Sequence, residues 1–65
     1  MGNVRPIEPL WTVEQVADFL QVPVKTLYQW RHHGYGPSGR RVGRYIRYRA
    51  EDVRAWVDSL DEQSA

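Results

Sequence analysis

Residues 12–33, TVEQVADFLQVPVKTLYQWRHH, contain two short amphipathic segments on either side of a break. The first segment has apolar residues at the i, i+3, i+4, i+7 spacing of one helical face, namely Val13, Val16, Ala17 and Leu20. Thr12 and Gln15 have the spacing of a capping box, which marks a helix start. Together these features predict a helix over Val13–Leu20.

A tight turn and a second helix follow. Pro23 cannot continue a helical turn but suits the start of a helix, so residues 21–23 predict the turn. The second helix is predicted over Val24–His33, and Gly34 is the residue expected to end it. Its inner stripe consists of Val24, Leu27 and Trp30. Its solvent-facing side consists of Lys25, Tyr28, Gln29 and His32.

The next stretch predicts a hairpin. Residues 35–39 are rich in Gly, Pro and Ser and predict a loop. Residues 40–42 and 45–47 then flank Gly43-Arg44, the pattern of a tight hairpin in which glycine supplies a positive φ. We expect Ile46 and Tyr48 to face the core, because side chains alternate between the two faces of a strand.

A third helix is predicted from Arg49 or Ala50 to Leu60. Its apolar stripe repeats the i, i+3, i+4, i+7 spacing at Val53, Trp56, Val57 and Leu60. We expect the three tryptophans to be core residues, because a domain of this size has a thin core. The organisation expected is a flexible N-terminal arm at residues 1–9, one domain at residues 10–61 and a polar tail at residues 62–65.

Composition narrows the class of protein. The chain has 65 residues, 42% of them hydrophobic, which is globular rather than disordered composition. It has no cysteine, so a disulfide framework and a cysteine-based zinc site are excluded. No apolar run approaches the length of a membrane span. No catalytic arrangement of a nucleophile with a base and no phosphate-binding loop is apparent, so we expect that the protein is not an enzyme and binds no cofactor or metal. Because the sequence has neither a membrane span nor cysteine, we expect a cytoplasmic protein.

Charge is segregated along the sequence. Seven basic residues and no acidic ones lie between positions 25 and 49, whereas the rest of the chain has two basic and eight acidic residues. Six of the seven are Arg, whose planar fork matches phosphate and guanine edges. A basic block inside a chain of net charge +1 is typical of a polyanion-binding surface.

The order of elements and the charge point to one fold class. We predict a mainly α fold with a small β-hairpin, a winged helix-turn-helix, in which the hairpin is the wing. The second helix suits the major groove of double-stranded DNA, whose width admits one helix. The wing tip, Gly43-Arg44, is suited to a minor groove.

The sequence also resembles a known family. Thr12–Ala17, Val22–Tyr28, Arg41–Arg44 and Arg47–Trp56 resemble the small winged helix-turn-helix domains of phage excisionases and the MerR-like DNA-binding domains. Many relatives have Gly where Gln21 stands. The resemblance implies contacts from the second helix to the major groove and from the wing to the minor groove or backbone. Only five residues follow Leu60, so we expect neither a MerR-type dimerisation helix nor a small-molecule effector site.

From the basic surface and the resemblance we predict two sets of DNA-binding residues. The recognition-helix set is Lys25, Thr26, Tyr28, Gln29 and His32. The wing set is Arg40, Arg41, Arg44 and Arg47. His32 and His33 point about 100° apart on a helix with no third ligand near in sequence, so we do not expect a metal site.

The function predicted is sequence-specific binding and bending of double-stranded DNA by an excisionase. Such a protein binds cooperatively at adjacent repeats, associates head to tail, and directs a phage integrase toward prophage excision in the host cell. Two alternatives use the same chain: a small transcriptional regulator with the same contacts, and a protein-interaction module such as an antitoxin or anti-repressor. A genomic neighbourhood with an integrase gene and attachment site distinguishes the first, and a divergent promoter the second.

Overall fold

The structure, a computed structural model, describes residues 9–63, with side chains as far as Leu60. It contains three helices, α1 (Val13–Leu20), α2 (Val24–His32) and α3 (Ala50–Gln63). It also contains three strands, β1 (Trp11–Thr12), β2 (Gly39–Val42) and β3 (Tyr45–Tyr48). The predicted mainly α, winged helix-turn-helix fold is therefore confirmed. The predicted arm lies outside the described residues except for Pro9, as do residues 64 and 65 of the predicted tail.

Helix α1 begins and ends with specific backbone contacts. The Gln15 N–H donates to Thr12 Oγ1 at 3.0 Å, and the Thr12 N–H donates to Gln15 Oε1 at 2.8 Å, which confirms the capping box. At the other end Gln21 takes a left-handed conformation, with φ 60° and ψ 45°. This conformation turns the chain toward α2, and it is one that L-residues with a Cβ adopt at a cost.

The sheet is larger than a hairpin. Its strand order is β1-β3-β2, with both pairs antiparallel. The predicted hairpin forms across Gly43-Arg44, and Gly43 has a φ of 63°. The sequence did not predict β1, which pairs Trp11 with Tyr48 and Thr12 with Arg47. The segment entering α1 is thus hydrogen-bonded to the wing, defined here as β2, β3 and the turn between them.

The core lies where the three helices meet β3. Its fully buried side chains are those of Leu27, Val16 and Val53, and Tyr48 is 3% exposed. The expectation that the three tryptophans are core residues is confirmed in part: Trp11 and Trp30 pack against this core, but all three, Trp56 included, are only half-buried. Aliphatic side chains and one tyrosine fill the small space between short helices, and the larger indoles pack around its edge.

Helix α3 is longer than predicted, because it continues past Leu60 to Gln63. Glu51 and Asp52 stand in its first turn, where the helix dipole favours negative charge. Among the described residues, no helix has the length and apolar character needed to cross a membrane.

Candidate nucleic-acid interface

The outer face of α2 is open to solvent. Lys25, Tyr28, Gln29 and His32 are exposed as predicted, whereas Thr26 is half-buried. Tyr28 is 52% exposed, a large fraction for an aromatic side chain. A shallow hollow of about 610 Å³ lies along this face between the first and last turns of α2. It is bordered by Val24, Lys25, Tyr28, Gln29, His32 and His33.

A larger groove, of about 890 Å³, lies between α2, the start of α1 and the wing; we call it the wing groove. From α2 it is lined by Tyr28, Arg31 and His32. From the wing it is lined by Arg41, Arg44, Tyr45, Ile46 and Arg47, and from the start of α1 by residues 12–14. Tyr28 and His32 border both the hollow and the wing groove, so the two form one continuous surface.

The strand register places the arginines of the wing on both of its faces. Arg41 is the cross-strand partner of Ile46, and Arg40 is the partner of Arg47. Since directly opposed residues point to the same face, Arg40 and Arg41 lie on opposite faces of the wing. Arg40 borders neither the wing groove nor the hollow, and nor does Thr26. The other members of the two predicted sets border one or both.

Arg47 has defined contacts on the wing. Its guanidinium carbon lies 5.0 Å from the centre of the Tyr45 ring, a cation–π arrangement. Its Nη1 donates to the Ile46 carbonyl at 2.9 Å. These contacts hold one cation in place beside the groove, whereas Arg44 at the tip is exposed.

Sequence reasoning missed Arg31, which lines the wing groove from α2. Its Nη1 lies close to Gly39, 3.3 Å from where a Cβ at that position would stand. Burial raises the pKa of the Tyr48 phenol, while the Arg31 charge lowers this pKa and Tyr28 raises it. The Arg31 side chain therefore reaches from the recognition helix to the start of β2 in the wing. The signal in the sequence was its membership of the basic block.

The basic residues of this surface are not neutralised by carboxylates. In residues 9–60, the structure shows one salt bridge, Arg49 to Glu51 at 3.3 Å, outside the wing groove. The groove lining has four arginines and a single carboxylate, Glu14, among the described side chains. No group of three potential metal-ligating residues occurs in the described part of the chain. The surface thus offers unpaired guanidinium groups, which suit phosphate oxygens.

A helix-turn-helix followed by an arginine-bearing wing, with unpaired cations between them, defines the class of DNA-binding winged helix-turn-helix domains. Residues 12–61 match the model of one family within this class, the family HTH_17, described as Helix-turn-helix domain. The match covers most of the chain, and the protein belongs to this family. No curated protein matches the chain.

Proposed function

We propose that this protein binds double-stranded DNA sequence-specifically and acts as an excisionase at adjacent repeats. The observation that carries the binding proposal is the continuous exposed surface of α2 and the wing groove, which has no salt bridge among its described residues. A surface of unpaired arginines gains free energy by releasing counterions from the phosphate backbone.

Two parts of the surface have different roles. Gln29 and Tyr28 on the outer face of α2 meet base edges in the major groove, where an amide side chain reads adenine in a bidentate manner. Arg41 and Arg44 of the wing meet phosphates or the minor groove, with Arg31 holding a phosphate between them and α2. Arg40 contributes charge from outside the wing groove, and Arg47 contributes charge from its lining.

Charge segregation supports side-by-side binding. Helices α1 and α3 together contain seven acidic residues and one basic residue, whereas α2 and the wing contain six basic residues and no acidic ones. The acidic helices of one copy thus complement the basic wing of the next. This head-to-tail contact joins unlike surfaces and does not close into a ring.

A row of copies that each bend the duplex slightly curves the DNA. Curvature brings distant integrase sites together, and the copy at one end contacts integrase and directs it toward excision. This role places the protein on DNA in the cytoplasm of the host cell. The resemblance of Thr12–Ala17 and of the other quoted segments to excisionases supports the assignment.

Gel-shift titration on DNA with one, two or three adjacent repeats, together with a circular-permutation bending assay, tests the proposal. We expect successive cooperative complexes and a bend that grows with the number of repeats. Replacing the exposed acidic residue Asp58 by Lys is expected to weaken binding at three repeats but not at one. A single complex on straight DNA contradicts the architectural role and favours the small transcriptional regulator.

A further inference from the structure

Another groove, of about 370 Å³, shares no lining residue with the wing groove or with the hollow on α2; we call it the back groove. Its walls are Phe19 and Leu20 of α1 and Trp56, Val57 and Leu60 of α3, with Val22 and Trp30 between them. Every one of these residues is apolar, and none is fully buried.

Aromatic rings form much of this surface. The centroids of Trp30 and Trp56 lie 5.5 Å apart, and Tyr35 meets both rings edge-on at 5.1 and 5.5 Å. Tyr35 is 50% exposed and Phe19 is 46% exposed. Contiguous exposed apolar surface of this kind costs free energy in water and marks interaction sites, and large aromatic residues dominate the binding energy at such sites.

The helices that wall the back groove are strongly acidic. By sequence, α1 and α3 have seven Asp and Glu residues against the single basic residue Arg54. The guanidinium carbon of Arg54 lies 5.8 Å from the centre of the Trp11 ring. Asp18 and Asp58 are each next in sequence to a residue that walls the groove; both are exposed and form no salt bridge with another described residue. An apolar groove between acidic helices complements a ligand that is apolar on one side and basic on the other.

We propose that the back groove is a docking site for a basic amphipathic helix of a partner protein. A helix laid between two helices inserts apolar side chains at i, i+3, i+4 and i+7, and its lysines and arginines face the acidic walls. An anionic lipid surface fits poorly, because the acidic helices repel it. A second copy of this chain offers the wing as its basic element, but the wing presents only Val42 and Tyr45 as large exposed apolar side chains.

The separation of the two grooves has a consequence for assembly. A partner helix in the back groove leaves α2 and the wing uncovered, so DNA and partner bind at the same time. The docking site therefore does not depend on which DNA sequence is read.

A pair of synthetic amphipathic peptides tests the inference. One has leucines on one helical face and lysines on the other, and the second has glutamates in place of the lysines. Tryptophan fluorescence and amide chemical-shift mapping follow binding, since Trp30 and Trp56 lie in the back groove. We expect the lysine peptide to bind and to shift the signals of these two indoles, and the glutamate peptide not to bind.

Variants distinguish the groove from general charge attraction. Phe19→Ser is expected to weaken the lysine peptide about tenfold, equivalent to about 1.4 kcal/mol. Tyr45→Ser, at an aromatic residue on the wing that is also exposed, should leave the affinity for the lysine peptide unchanged. Asp18→Lys is a second variant, which removes acidic charge beside the back groove without altering an apolar wall, and it should also weaken binding of the lysine peptide. Circular dichroism confirms that each variant folds, and affinity for DNA with one repeat is a second control for Phe19→Ser and Asp18→Lys, since neither residue lines the wing groove or the hollow.

Three results overturn the proposal. The first is equal binding of both peptides, and the second is a set of shifted signals confined to α2 and the wing. The third is a dimer, detected by sedimentation, that Phe19→Ser dissociates, which would assign the back groove to a second copy of this chain.

Discussion

Tyr48 lies directly opposite Gly39 across the wing, and its ring occupies the space that a side chain at position 39 would need. A Cβ there would stand 3.0 Å from Tyr48 Cε2 and 3.3 Å from Arg31 Nη1. Tyr48 is almost fully buried and also pairs with Trp11 of β1. Tyr48 therefore connects β2 of the wing with β1, the entry to α1, and lies close to Arg31.

Gly39→Ala is expected to destabilise the domain by about 1–3 kcal/mol, as overpacking of a filled space does. The added methyl must move the Tyr48 ring or the strand that carries it. Urea denaturation measures the loss in the free energy of unfolding. Ser38→Ala, at the exposed neighbouring position, is the matched control and should change stability by less than about 0.5 kcal/mol. Equal stability of the two variants would show that the wing accommodates the added methyl group without a loss in the free energy of unfolding.

Gln21→Gly is expected to stabilise the protein by about 1 kcal/mol, because glycine adopts the left-handed conformation of this turn without strain. The substitution removes a hydrogen bond from Gln21 Nε2 to the Asp18 carbonyl at 2.7 Å, at an exposed position where water replaces it. Thermal unfolding measures the change. The same substitution at Gln29, inside α2, should instead destabilise by about 0.5–1 kcal/mol. If Gln21→Gly and Gln29→Gly both destabilise the protein, the inference of backbone strain at Gln21 is contradicted.

Stability is expected to fall as pH rises above the usual tyrosine pKa of 10.0. Burial raises the pKa of Tyr48 in the folded chain, so the unfolded chain loses this proton first. The contribution of this group is fully present below the unfolded pKa and is lost as pH rises through the folded pKa. Denaturation on either side of that pH measures the fall.

Three variants test whether the loss of stability at high pH comes from Tyr48. Tyr48→Phe should reduce the high-pH loss, whereas Tyr45→Phe, at an exposed ring, should leave it unchanged. Arg31→Gln should raise the pKa of Tyr48 further, because the Arg31 charge lowers it. A downward shift in the tyrosine absorbance titration of Arg31→Gln would contradict the placement of Arg31 beside Tyr48.

DNA affinity is expected to depend steeply on salt. If about five cations meet phosphates, log K falls with log[salt] at a slope of roughly −4.5. Arg44→Gln should make this slope shallower by about 1. Arg54→Gln, on α3 and outside the wing groove, should leave it nearly unchanged. A slope near zero would contradict the electrostatic basis of the interface.

Substitutions on the recognition helix are expected to change the sequence preference of DNA binding, whereas substitutions on the wing are expected to change its overall affinity. Gln29→Ala should relax sequence preference, costing about 1–3 kcal/mol on the preferred site and little on random DNA. Arg41→Ala should weaken binding to both DNAs by similar amounts, because a phosphate contact carries no sequence information. Fluorescence anisotropy on a selected site and on a scrambled duplex compares them. Identical behaviour of the two variants would contradict the separate roles.

The helices and the hairpin were predictable because local physics determines them. The spacing of Val13, Val16, Ala17 and Leu20 defines a helical face, and Gly43 permits the positive φ of a two-residue turn. Strand β1 was not predictable in this way, since two residues are too few to show alternation. Its pairing depends on where the wing lies after folding.

The candidate site was predictable in composition but not in arrangement. The basic block predicted the two elements that line the wing groove, but not that Arg31 lines it beside Gly39, which has no side chain to occupy that space. Conversely, Arg40 was predicted with the other wing arginines, but it lies on the opposite face from Arg41 and does not line the wing groove. The half-burial of the tryptophans likewise depends on how little volume three short helices enclose.

Strand β1 also affects the thermodynamics of association. Thr12 caps α1 and pairs with Arg47, so a single residue connects α1 to the wing. The wing is consequently already ordered in the free protein. The entropy cost of ordering it is therefore part of folding and does not reduce the affinity for DNA. Calorimetry should therefore show a heat-capacity change that matches the buried area of rigid docking, without the excess that accompanies coupled folding.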